Sequence, residues 1–138
     1  MERGELLEVM NGFFAAMNEH DVEKMAYYCT DDMVADEVAE PEPFLGVEAF
    51  KQSYSDVFEG YPDCHAEVLE TFADGETIIC QVRWDATNSG IFRGAEPTGK
   101  KVDLRIAYFL ATKEGKIARI TEYYDLATLL VQQGQLEL

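Results

Sequence analysis

A chain of 138 residues with 47% hydrophobic and 12% aromatic side chains has the length of one domain with one core, which folds without a metal or disulfide staple. Its 27 acidic and 11 basic residues give a formal charge of −16, and no segment gathers Lys and Arg into a stripe. That excludes nucleic acid as a partner, disfavours anionic membranes and polyanionic substrates, and favours a neutral ligand. Three widely spaced cysteines, Cys29, Cys64 and Cys80, form no disulfide framework, and no apolar run reaches the length of a membrane span, so a reducing, cytoplasmic setting is expected.

From Glu5 to Asn18 the residues Leu6, Met10, Phe13, Phe14 and Met17 recur at helical spacing and predict an amphipathic helix with an aromatic stripe. Asp21 can cap a second helix from Val22 to about Cys29. A short strand is predicted over Met33 to Val38, then a stiff loop at Glu40-Pro41-Glu42-Pro43, closed by Gly46. Val47, Phe50, Tyr54, Val57 and Phe58 mark a third helix, ended by Gly60 and Pro62.

Beyond Pro62 the pattern becomes strand-like. Cys64 to Phe72, Thr77 to Thr87, a short stretch at Ile91 to Phe92, Val102 to Thr112 and Ile117 to Tyr124 are the predicted strands. Ala73-Asp74-Gly75-Glu76 and Lys113-Glu114-Gly115-Lys116 supply hairpin turns. Asp125 stands ahead of a short closing helix, Leu126 to Val131, with Gly134 beyond it. Helices first and an antiparallel meander second is an α+β arrangement, with three N-terminal helices laid on one face of the sheet.

The stretch from Trp84 to Lys100 contains Trp-x-Ala-Thr, Ser-Gly-x-Phe-x-Gly and Pro-Thr-Gly-Lys. The ending runs Gly115-Lys116-Ile117, Glu122, Asp125-Leu126 and Gln132-Gln133-Gly134, and the beginning runs Phe13-Phe14-Ala15-Ala16, Asp21, Thr30-Asp31-Asp32 and Phe44-Leu45-Gly46. Together these resemble the SnoaL-like polyketide cyclases, within the superfamily named for nuclear transport factor two, over one domain spanning residues 1–138. The resemblance implies a conical α+β barrel of curved antiparallel sheet with the three helices on its concave face. It also implies a homodimer, formed through the outer sheet face that carries Arg83, Asp85, Arg105, Ala107, Phe109 and Ala111. Members of the superfamily include cyclases, steroid isomerases and non-catalytic binding modules, so fold alone does not choose the reaction.

The residues narrow the chemistry. No nucleophile elbow, phosphate-binding loop, zinc spacing or dinucleotide fingerprint is present, and His20 and His65 are the two imidazoles; neither metal nor cofactor is expected. What remains is proton transfer by carboxylate and phenol. Alternation assigns Leu104, Ile106, Tyr108 and Leu110 inward. If Lys113-Glu114-Gly115 makes a three-residue turn, Ile120, Glu122 and Tyr124 join that face, Tyr108 faces position 120, and Glu122 lies one step along. A two-residue turn would instead put Thr121, Tyr123 and Asp125 there.

By resemblance, Glu122 occupies the place of the cyclases' acidic residue on the last strand, and Asp125 a common Asp at the barrel mouth. Glu37 resembles in position the catalytic base of the steroid isomerases, although Phe13 stands where those carry a Tyr. The candidate catalytic residues are therefore Glu122, Tyr108, Asp125 and Glu37. Glu122 and Tyr108 are expected to pair, the acid moving a proton beside a carbonyl while the phenol steadies the enolate oxygen. Phe14, Met17, Tyr28, Tyr54, Phe58, Trp84 and Phe92 are the candidate walls of a pocket for a hydrophobic small molecule. The expected function is cyclase or isomerase chemistry on a hydrophobic carbonyl compound, against the alternative of a non-catalytic ligand-binding or protein-interaction module.

Overall fold

A computed structural model describes residues 2–137. Helix α1, Arg3–Asn18, buries Leu6, Met10, Phe13, Phe14, Ala16 and Met17, the predicted stripe with Ala16 added. Helix α2, Val22–Tyr27, begins where the Asp21 side chain accepts from the Lys24 amide. It stops before Cys29 because the sheet claims the next residues: strand β1 runs Cys29–Glu37, and the Tyr28 carbonyl accepts from the Ile117 amide at 2.7 Å. The two-residue strand β2, Phe44–Leu45, leads into α3, Val47–Gly60. Strands β3, His65–Asp74, β4, Thr77–Thr87, β5, Lys101–Lys113, and β6, Lys116–Tyr123, follow, and α4, Leu126–Gln132, closes the fold.

The six strands form one curved, unclosed sheet in the order β2-β1-β6-β5-β4-β3. All neighbours are antiparallel but one: β1 runs parallel to β6, where the meander pattern had implied an antiparallel sheet throughout. Local periodicity reports which face a residue occupies but carries no information about a partner strand some eighty residues away. Ile91–Phe92 likewise makes no strand, only an isolated bridge from Phe92 to Ala95. The segment between β4 and β5 is instead organised by the buried side chain of Asn88, which donates to the Gly60 and Gly90 carbonyls and accepts from the Thr98 amide and hydroxyl. Gly90 lies so close to Glu59 that a Cβ would sit 1.9 Å from its carbonyl oxygen.

The inward face is the core. Leu104, Ile106, Tyr108 and Leu110 of β5 are buried, as are Ile78, Cys80, Val82, Trp84 and Ala86 of β4. Phe13 stacks on Phe50 of α3, and Phe14 meets the ring of Tyr108 edge-on at 5.2 Å, which seats the helices on this face. No described helix is long and apolar enough to cross a membrane.

The β5–β6 hairpin decides which acids face inward. Lys113 pairs with Lys116 around a two-residue turn in which Glu114 and Gly115 have φ of 52° and 84°, the left-handed pair of a type I′ turn. A plain ladder from that turn would bring Thr121 opposite Tyr108. A bulge intervenes: Thr112 pairs with Ile117 but Ala111 pairs with Arg119, leaving Ala118 as the extra residue. The ladder beyond it places Glu122 directly opposite Tyr108 and Ile120 opposite Leu110. The inward set expected from a three-residue turn is thus reached by a two-residue turn plus a bulge, and Tyr108 faces Glu122 rather than position 120.

Candidate functional site

Three paired strands bring the site's floor together. Tyr108 on β5 is opposite Glu122 on β6, and Glu122 is in register with Glu37 on β1, so the three form one row across the concave face. Directly paired residues point to the same side of a sheet. Above this row is a cavity of about 250 Å³, whose polar lining includes Glu37, Glu40, Glu96, Glu122, Tyr54, Tyr108 and Tyr124 and whose apolar lining includes Trp84, Leu104, Ile106, Phe92 and Leu129.

Helix α3 contributes the next contact. Its Tyr54 hydroxyl donates to Glu122 Oε1 at 3.2 Å and lies 3.4 Å from the Tyr108 hydroxyl; Tyr108 also hydrogen-bonds to Glu122. Both phenols favour the ionised carboxylate. Burial and the negative charge of Glu37 oppose them and prevail, raising the Glu122 pKa to about 8. Glu122 retains accessible surface because it borders the cavity, yet enough protein surrounds it for loss of hydration to dominate. Burial also raises Glu37, but Tyr124 donates to its Oε1 at 3.0 Å and Arg93 adds a favourable charge, both of which hold it down. Burial pushes the hydroxyls of Tyr54 and Tyr108 well above their ordinary range, so both stay protonated.

The remaining sequence candidates sort clearly. Asp125 lies outside the cavity wall and caps α4, accepting from the Ala127 and Thr128 amides and the Thr128 hydroxyl; its pKa is lowered chiefly by the Thr128 hydroxyl. Tyr54, Trp84 and Phe92 line the cavity, while Phe14, Met17, Tyr28 and Phe58 do not. Phe14 and Met17 are core between α1 and the sheet, Tyr28 packs over Gly12, and Phe58 stacks on His20 at 4.6 Å.

Several wall residues were not singled out from the sequence. Tyr61, whose hydroxyl donates to Gln133 Oε1, joins α3 to the end of α4, and both line the cavity; Gln132, outside the wall, makes two bonds to the Asp103 backbone, at 2.7 and 3.0 Å. Tyr54 is expected as a wall residue but not as a partner of Glu122, for which a clue existed: a Tyr on an otherwise apolar helix stripe needs a partner for its hydroxyl. For Gln133, beyond the last periodic residue, no signal was available.

A family model described as SnoaL-like polyketide cyclase matches residues 8–133. The chain belongs to the SnoaL-like polyketide cyclase family. No curated protein matches it. Among solved structures, this SnoaL-like chain is similar to a candidate SnoaL-like polyketide cyclase from Jannaschia sp. CCS1, at 17% identity over 99% of each chain with a TM-score of 0.88. It is also similar to a candidate hydroxylase from Streptomyces galilaeus, at 22% identity over 99% of this chain and 89% of that one, TM-score 0.85. A hypothetical protein with a ketosteroid isomerase-like fold from Catenulispora acidiphila matches at 16% identity over 94% of each chain, TM-score 0.81. At these identities the likeness concerns the fold.

Proposed function

We propose that this SnoaL-like protein is a cyclase or isomerase that moves a proton at the carbon beside the carbonyl of a hydrophobic compound, with Glu37 and Glu122 dividing the work. The observation that carries this is the pair of facing carboxylates in one largely apolar cavity, one of them held by two phenols. Two acids whose surroundings push their pKa values apart are suited to opposite roles. Glu122, with a pKa of about 8, is mainly protonated at neutral pH. Tyr54 and Tyr108 anchor it, which leaves its O–H to donate to a carbonyl oxygen. Glu37, less strongly raised, carries the negative charge and accepts the proton from carbon.

The electrons of the broken C–H bond pass to the carbonyl oxygen, and the resulting enolate is stabilised by Glu122 with the phenols behind it. Returning the proton to another carbon gives an isomer; attack of the enolate carbon on a second carbonyl gives a ring. Solvent exchange tests the first step. With tetralone in D2O, followed by NMR, the protein should accelerate deuterium entry beside the carbonyl, and Glu37→Gln should lower the rate by about 10² to 10⁴. Glu122→Gln keeps an N–H donor and should lose less. The rate should rise with pH as Glu37 ionises, above the ordinary Glu range, and fall above about 8 as Glu122 ionises. Exchange no faster than buffer, or unchanged in both variants, would remove the enzymatic reading and leave a binding module.

The same reading includes a homodimer through the outer sheet face, where Phe109 and Tyr123 form an exposed ring pair with centroids 5.9 Å apart. Light scattering at micromolar concentration should return twice the chain mass; a monomer mass would end that part of the proposal.

A further inference from the structure

The cavity wall carries charge of one sign. Among the described residues it includes Glu37, Glu40, Glu96 and Glu122, and no Lys, Arg or His. Arg93 contacts two of the wall residues and is already engaged: its guanidinium lies 2.7 Å from Glu40 and 3.4 Å from Asp56, over the rings of Phe92 at 4.6 Å and Phe44 at 5.5 Å. Asp56 lies outside the wall, so Arg93 does not neutralise Glu40 alone. Glu96, exposed on the segment between β4 and β5, makes no ion pair among the described residues. The four acids come from two kinds of segment, and Glu96 alone of them is exposed. Glu122 and Glu37 lie on paired strands of the floor row, whereas Glu40 and Glu96 come from the β1–β2 and β4–β5 connections that form the rim.

The wall is also aromatic. Tyr61 meets Trp84 edge-on at 5.2 Å and Phe92 at 5.6 Å, and all three line the cavity. Ring faces attract cations, and more strongly where water is displaced. The protein's formal charge of −16 draws cations toward the mouth as firmly as it repels anions. A neutral ligand, favoured by composition, leaves Glu96 with no charge to face, whereas Glu40 already faces Arg93.

We propose that the cavity takes a hydrophobic ligand bearing a protonated amine, with the hydrocarbon against the rings and the ammonium toward Glu96 and Glu40 at the rim. This rests on the cavity being the substrate site of the proposed function, and names the substrate class: an amino-substituted carbonyl compound, carbonyl to the floor and amine to the mouth. Carboxylic acids and phosphorylated compounds of the same shape are rejected.

Binding tests this without turnover. Adamantylmethylamine, adamantylmethanol and adamantane carboxylate share one apolar body and differ in charge. Calorimetry at low salt should find the amine bound about tenfold more tightly than the alcohol, with the carboxylate weakest. About 0.5 M salt should shrink that ratio, because rim charges are screened. Trp84, the single tryptophan, lines the cavity and reports occupancy by fluorescence. Glu96→Gln should reduce the amine-to-alcohol ratio; Glu114→Gln, on the β5–β6 turn outside the cavity, should leave the ratio intact. Equal affinity for amine and alcohol, or an equal loss of preference in both variants, would overturn the proposal and leave the proton-transfer reading standing. Failure of all three probes to bind would overturn it together with the cavity's role as a binding site.

Discussion

The floor and the rim of the cavity are built on different principles. The floor row, Tyr108, Glu122 and Glu37, is set by main-chain pairing of three adjacent strands, and its side chains inherit their positions from the ladder. The rim is held by individual side chains: Asn88 folds the β4–β5 segment, Arg93 ties that segment to Glu40 and Asp56, and Gln132 and Tyr61 dock α4. A floor defined by register fails only when the sheet fails, whereas a rim defined by side chains can be altered one contact at a time.

The contrast is broken most strongly from below. Phe13→Ala removes a fully buried ring that packs on Phe14 and Phe50, and should cost about 3–5 kcal/mol in urea unfolding. Activity should fall only in proportion to the folded fraction.

Glu122→Gln sharpens it. In the native protein Glu122 binds its proton up to about pH 8, while the unfolded chain releases it near the ordinary Glu value. Between those two pH values the native state holds more protons, so its stability falls as pH rises. Gln abolishes this slope. Thermal melts should therefore show the variant gaining on the native protein from pH 5 to pH 8, by on the order of a few kcal/mol, even as solvent exchange into tetralone slows.

At the rim, Asn88→Ala leaves the Gly60 and Gly90 carbonyls and the Thr98 amide without their side-chain partner. It should cost about 1–3 kcal/mol, and hydrogen exchange should rise across residues 88–100 while the β5–β6 ladder stays protected. The smallest effect belongs to Asp125→Ala. Loss of a cap costs about 1 kcal/mol, and solvent exchange into tetralone should be unchanged, because Asp125 lies outside the cavity wall.

The same division explains what could be read from the sequence. Positions fixed by period were legible: the α1 stripe, the inward even residues of β5, the Asp125 cap and the limits of β4 all follow from local spacing. The Glu122–Tyr108 pairing was legible as a conditional, since it depended on a turn length the letters left open. Its realisation through a bulge at Ala118 depends on how two strands settle, which no window of one strand contains. The parallel partner of β1, which sets Glu37 beside Glu122, was hidden for the same reason. Phe14, Met17 and Phe58 illustrate a further limit: helical periodicity identifies an inward face but does not distinguish packed core from cavity wall.

The bulge at Ala118 gives the last strand an uneven tolerance to changes in length. Between Gly115 and Glu122 the chain holds one residue more than a plain two-residue hairpin requires, and the ladder stores it as slack. Deleting Ala118 would let Arg119 follow Ile117 in an unbroken ladder, with Glu122 still opposite Tyr108. Adding a residue in the same stretch offers no such refuge, because unless a second bulge absorbs it the strand's parity inverts. Glu122 would then turn to solvent and an outward neighbour would take its place on the cavity floor. Descendants of this chain could thus shorten that hairpin by its one spare residue, but lengthen it only at the expense of the carboxylate on the cavity floor.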